Sequence, residues 1–241
     1  MGILSFFTGD NLNPKRIDFN KFGHIELDFS GNKLRFIDAM HTANFPVDVW
    51  PSDIDIYDEN QLEKQKRGHY AIRYYSRGWN LKGKGRYPIG GVTLSSILIN
   101  IPDDILGNKN LFNEKVLNKY IFEQIDTRWV QLEPETSNNT NLIYPRESSQ
   151  LKKVVINNNQ WTVAKIQHNS DGPFHLCYIP ISKNHYIYNE FCFSAYHGNQ
   201  FYSPENNIEK NCYDIMNEFM DQYFIELSPR SLKEKAEAEA S

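Results

Sequence analysis

Gly78-Trp-Asn-Leu-Lys-Gly83-Lys84-Gly85 is one residue short of a phosphate-binding loop. Such a loop needs Ser or Thr after its Lys, to hold Mg²⁺, and a helix opening at that point. Gly85 takes the hydroxyl's place and Arg86-Tyr-Pro-Ile-Gly-Gly opens no helix, so a flexible glycine loop is expected instead. Asp53-Ile-Asp55-Ile-Tyr-Asp58 spaces its acids as a cation site does, yet Asp58 stands where a calcium loop needs Gly. Ile54 and Ile56 alternate with the acids, which reads as an edge strand with a solvated acidic face. The seven His show no His-Glu-x-x-His, and no Cys/His spacing suits zinc. Cys177, Cys192 and Cys212 read as small core residues. Spacing leaves one cysteine-hydrolase pairing open, His185 with Cys192. No catalytic residue, metal ligand or cofactor is assigned.

The unusual feature is charge segregation. Between Phe36 and Glu63 there is no Lys or Arg, while Asp38, Asp48, Asp53, Asp55, Asp58, Glu59 and Glu63 are acidic. From Lys64 to Arg86 the sign reverses, and Tyr70, Tyr74, Tyr75 and Trp79 interleave with the bases. Tyr, Trp and Arg anchor protein interfaces, and bases mixed with aromatics also track single-stranded nucleic acid. Alternatively, the two blocks fold against each other and neutralise locally. The candidate partner-binding residues are Asp53, Asp55, Asp58, Glu59, Arg73, Arg77 and Trp79.

The elements that must position these residues are strands and helices in alternation. His24–Phe29 alternates polar and apolar, the segment Ser30-Gly31-Asn32-Lys33 follows, and Leu34–Phe36 resumes, which makes a hairpin. Strands are expected at Tyr70–Tyr75 and Val92–Ile101, then a helix on Leu111, Val116, Leu117, Tyr120 and Ile121, then a short strand at Trp129–Leu132. The second half gives a hairpin at 151–166, strands at 174–179 and 185–196, and a helix opening at Ser203-Pro204-Glu205. A closing strand follows at Tyr223–Leu227. Asp126–Pro134 and Asp221–Pro229 align without a gap. The expectation is an α+β fold: antiparallel sheet with packed helices, built as an internally duplicated hairpin-strand-strand-helix-strand unit. The units would span 20–135, with an insertion at about 38–69, and 150–230; 133–149 would link them and 231–241 would be a tail.

At 241 residues with 14% aromatics, the chain can bury a core without disulfides or metal. A net charge of −4 makes the whole molecule a poor electrostatic binder of nucleic acid or anionic membrane. The odd cysteine count without Cys-x-x-Cys suits a reducing compartment. The start lacks a basic region before its short apolar run, and no segment approaches the roughly 20 apolar residues of a membrane span. A cytoplasmic location is expected.

Tyr178-Ile-Pro-Ile-Ser-Lys-Asn-His-Tyr-Ile187, a long strand, and then Asp214-Ile-Met-Asn-Glu-Phe-Met220 resemble PsbP-like domains, in which a strand meander leads to a closing helix. The resemblance covers about a third of the chain and extends to bacterial immunity proteins, which neutralise a co-encoded toxin, including those of type VI secretion. It implies a non-enzymatic binding protein that occludes a cognate toxin's active site, and it carries over no site residue. Two other functions remain open. One is an enzyme without a local motif, hydrolase-like; the other is a nucleic-acid binder using the basic-aromatic stretch 64–87.

Overall fold

The computed structural model describes residues 10–43, 47, 52–130, 142–167 and 172–240. In chain order its strands and helices begin with β1 (His24–Phe29), β2 (Asn32–Ile37), β3 (Asp53–Ile54), β4 (Glu63–Lys64), β5 (Tyr70–Lys82) and β6 (Pro88–Asn100). Next come α1 (Asp103–Leu106), α2 (Glu114–Ile125), β7 (Lys152–Ile156), β8 (Asn159–Ile166), β9 (Phe174–Pro180) and β10 (His185–Ala195). The chain finishes with α3 (Ile208–Asp221), β11 (Phe224–Glu226) and α4 (Pro229–Glu239). These form two sheets, β4-β5-β6-β10-β9-β8-β7 and β11-β2-β1-β3. All pairings are antiparallel except β1 with β3. The α+β architecture expected from the sequence is present.

Two-residue turns set both hairpins. Ser30 and Gly31 have φ of 52° and 88°, and Asn157 and Asn158 have φ of 50° and 64°. Positive φ at both central positions gives the turn whose twist matches the flanking strands, and Gly and Asn tolerate it. Asn157 Nδ2 also donates to the carbonyls of Asp221 and Tyr223, both at 2.9 Å, which ties the β7–β8 turn to the end of α3.

The seven-stranded sheet buries both faces. On one face lie α3 and the four-stranded sheet, around Phe219. Its ring meets Phe19, Phe36, Tyr75, Trp79 and Phe191 at centroid distances of 5.7–6.2 Å. At Gly90, an added Cβ would come within 2.6 Å of the Ser194 carbonyl and 2.9 Å of Ile208, so glycine is what lets α3 seat there. On the other face α2 presents Leu117, Tyr120, Ile121 and Ile125 to a second core containing Tyr178, Tyr186 and Tyr188.

Several expectations are corrected. The topology shows no duplicated unit, because the first hairpin lies in the small sheet and the second in the large one. Likewise β11, from the end of the chain, pairs with β2. Asp126–Val130 is a π-helical turn continuing α2, where a closing strand was expected; Gln131 and Leu132 lie outside the described residues. Gly78–Lys82 belongs to β5 and is no flexible loop. Ser203-Pro204-Glu205 precedes the helix, which opens at Ile208. The supposed tail is α4, capped by Ser228 and pinned where Glu234 Oε2 accepts from the Lys183 backbone N–H at 2.7 Å. No helix among the described residues is long and apolar enough to cross a membrane.

Candidate functional site

An irregularity in β5 decides where the basic block points. Arg73 pairs with Ile97 and Tyr75 with Ser96, so Tyr74 is an extra residue and the alternation inverts there. Before the bulge, Ile72 and Tyr74 enter the α3 core. After it, Tyr75 and Trp79 do the same. Arg73 alone of the three candidates on β5 is left on the α2 face, where it is exposed.

Trp79 is therefore no interface anchor: it has no accessible surface and packs edge-on to Phe19 at 5.2 Å. Arg77 is only 7% exposed. Its guanidinium lies over Tyr75 at 4.6 Å and donates to Asp38 Oδ1 at 2.7 Å. Acidic and basic blocks thus neutralise each other at that pair. Asp53, Asp55 and Glu59 stay exposed and Asp58 is half-buried, on β3 and the turn after it. Asp55 Oδ1 accepts from Ser30 Oγ at 2.8 Å and from the Tyr57 N–H at 3.0 Å. Asp58 caps the next turn, and the Asn60 N–H holds its carboxyl below the usual range. The structure does not bring these acids to Arg73.

Arg73 instead lines a cleft of about 470 Å³ between the α2 face of the sheet and the β4–β5 connection. Its floor is apolar: Ala71 on β5, Ile97 and Ile99 on β6, Tyr186 and Tyr188 on β10. The register explains this, because Tyr188 stands opposite Ile97, which stands opposite Arg73. Arg67 Nη1 reaches across from a left-handed position (φ 70°) to the Glu123 carbonyl on α2, at 3.2 Å. Beside it His69 meets Tyr120 edge-on at 5.7 Å, and burial holds its imidazole below the ordinary value.

Arg128 forms the far wall. The π-helical turn swings it from the end of α2 onto β10, an instance of the wide turns found at functional sites. Its Nη1 donates to Tyr188 Oη at 3.3 Å and its Nη2 to Glu190 Oε1 at 2.7 Å, while Nη1 also lies against Oε2 without hydrogen-bond alignment. Glu190 is buried behind it, and desolvation raises its pKa despite the lowering by Arg128 and Arg73. Sequence reasoning missed both residues. A Glu in the aromatic-rich strand His185–Ala195, on the same face as Tyr186 and Tyr188, was the available signal.

The remaining candidates do not assemble into a catalytic group. His185 and Cys192 are on opposite faces of β10. The His185 ring sits between Ser182 Oγ and the Ile56 carbonyl, both at 2.7 Å, and burial lowers its pKa to about 4. Among the described residues no group of His, Cys, Asp or Glu is placed to hold a metal ion. Comparison with known proteins finds no matching family model, curated protein or solved structure.

Proposed function

We propose that this chain is a non-enzymatic binding protein whose partner is another protein, received at the cleft between α2 and the β4–β5 connection. The carrying observation is the cleft itself. An apolar floor of Ile97, Ile99, Tyr186 and Tyr188 lies between Arg73 on one side and Arg128 on the other. Arginine is enriched at interface hot spots, and here the exposed Arg67 and Arg73 rim an apolar floor whose tyrosines only shape the cleft from below. The most specific form of this reading is an immunity protein that occludes the active site of a cognate bacterial toxin from within the cytoplasm. The sequence resemblance supports that form, and it requires a complementary surface with no chemistry.

The test is a pull-down with the product of the adjacent gene, paired with a thermal melt. Arg73→Glu combined with Arg67→Glu should abolish capture while a single cooperative melt shows that the variant still folds, at a lowered midpoint because Arg67's bond to the Glu123 carbonyl and Arg73's attraction for Glu190 are lost. Asp53→Lys with Asp55→Lys, away from the cleft, should leave capture intact. Capture should weaken with salt, since exposed charges are screened over about 10 Å at 0.1 M. Full capture by the double Glu variant would sink the cleft as the interface.

Glu190 favours a second reading, an enzyme of hydrolase type. A buried carboxyl with a raised pKa beside a cleft is the kind of group that serves as a general acid. Turnover of any substrate that Glu190→Gln abolishes, in a variant that still folds, would replace binding with catalysis.

A further inference from the structure

We propose that this chain self-associates through β7, a second copy adding its own β7 antiparallel to extend the large sheet across a two-fold axis at Val154. The surface is distinct from the cleft, and the proposal does not depend on the function suggested above.

The two edges of the seven-stranded sheet are treated differently. Along β5 the edge is covered piecemeal. β4 pairs with Tyr70 and Ala71, the Thr42 and Ala43 N–H groups donate to the Gly78 carbonyl, and Lys15 bridges Lys82. β7 is the last strand at the other end, and no described residue pairs with its outer side. It is also apolar where it is most accessible: Val155 is 70% exposed and Val154 39%. An accessible apolar edge strand is a template for another strand.

The hairpin fixes which backbone groups are available. In a two-residue hairpin the residues flanking the turn, here Ile156 and Asn159, form a hydrogen-bonded pair, and such pairs then alternate. Ile156, Val154 and Lys152 therefore turn their N–H and C=O groups inward to β8. Lys153 and Val155 turn theirs outward.

One self-pairing register satisfies both outward residues. Centred on Val154, it sets Lys153 opposite the second copy's Val155, and Val155 opposite the second copy's Lys153, each pair exchanging both backbone bonds. The same register places Lys152 across from Ile156. Lysine stems then lie over aliphatic side chains, and no two like charges face each other. Centring on Lys153 would oppose two ammonium groups. Centring on Val155 would call on Asn157, which is left-handed at φ 50° and cannot extend the ladder. The lysines that discourage a foreign apolar strand are thus compatible with this one partner. Lys153 is further neutralised by Glu114 at 3.3 Å.

The register supplies the test. At Val154 the two copies form a non-hydrogen-bonded pair with Cα atoms about 4.5 Å apart, within the range a disulfide spans. Val154→Cys under mild oxidation should give a covalent dimer. Val155→Cys, on the other face and offset from its own mate, should give no more than the background of the unsubstituted chain with its three native cysteines. In sedimentation without oxidant, the unsubstituted chain should show a concentration-dependent dimer. Val155→Pro, which deletes an outward N–H and no β7–β8 bond, should abolish it, while Val155→Thr should keep it. A chain that stays monomeric at all concentrations, or equal cross-linking through positions 154 and 155, would overturn the proposal.

Discussion

Glu190 is where burial and charge oppose each other. Its carboxyl is raised by desolvation more than Arg128 and Arg73 lower it. A raised carboxyl means the folded state binds a proton more tightly than the unfolded chain. Its favourable contribution is then complete below the unfolded value and is lost as pH climbs through the folded one. Removing the titration with Glu190→Gln should therefore matter in a pH-dependent way. Relative to that variant, the native chain should be most stable near pH 4 and lose ground steadily as the pH rises past Glu190's raised value. Urea unfolding of both proteins across pH 4 to 8 measures the difference. A difference that stays flat, or grows in favour of the native chain with rising pH, would show that Arg128 compensates the burial in full. The neighbouring error is instructive at the same scale. Arg73, Arg77 and Trp79 share parity, so alternation alone puts them on one surface. One extra residue at Tyr74 sends Arg73 to the cleft and the other two inward, and nothing in the sequence of β5 marks that insertion.

At the scale of elements, hairpins and helices were legible where local chemistry dictates them. Gly31 and the Asn run from 157 mark both hairpin turns through residues that tolerate positive φ, although the sequence suggests longer turns (30–33 and 157–159) than the two-residue ones observed, and the apolar stripe of α3 is visible as spacing. What failed were segments whose conformation is set by distant partners. Asp126–Val130 has the aromatic and β-branched content of a strand, yet Arg128 finds Glu190 and Tyr188 by continuing α2. The turn at Asn157 carries a prediction of its own. Asn157→Gly keeps the left-handed backbone and loses only the two bonds to Asp221 and Tyr223, which should cost about 1–2 kcal/mol. Asn157→Ala adds the left-handed penalty, roughly 1 kcal/mol more. Asn158→Gly, whose neighbour keeps the bonds, should be nearly neutral. Denaturant midpoints for the three variants give the ranking; equal losses for Asn157→Gly and Asn158→Gly would mean that the amide contacts contribute nothing.

The whole molecule was the hardest scale to read, because its connectivity interleaves what the sequence presents as two halves. β6 from the first half and β10 from the second are neighbours along eleven paired residues, from His185 with Asn100 to Ala195 with Gly90. Phe219 and Tyr223, late in the chain, complete the core of the first hairpin, where Tyr223 stacks on Phe36 at 5.1 Å. Each half therefore leaves a long strand edge and an aromatic core face without the other. Two autonomous units would unfold in two steps and survive separation. A shared sheet and core should instead give one cooperative transition whose calorimetric and van't Hoff enthalpies agree. Fragments 1–136 and 137–241, expressed separately, should each lack the dispersed amide spectrum of a folded domain, since neither can pair β6 with β10. Expressed together, they should recover a soluble complex with the native spectrum, because the break falls between α2 and β7 and cuts none of the ladders among the described residues. A folded, monomeric 137–241 fragment with native-like shifts in β7–β10 would return the second half to the status of an independent domain.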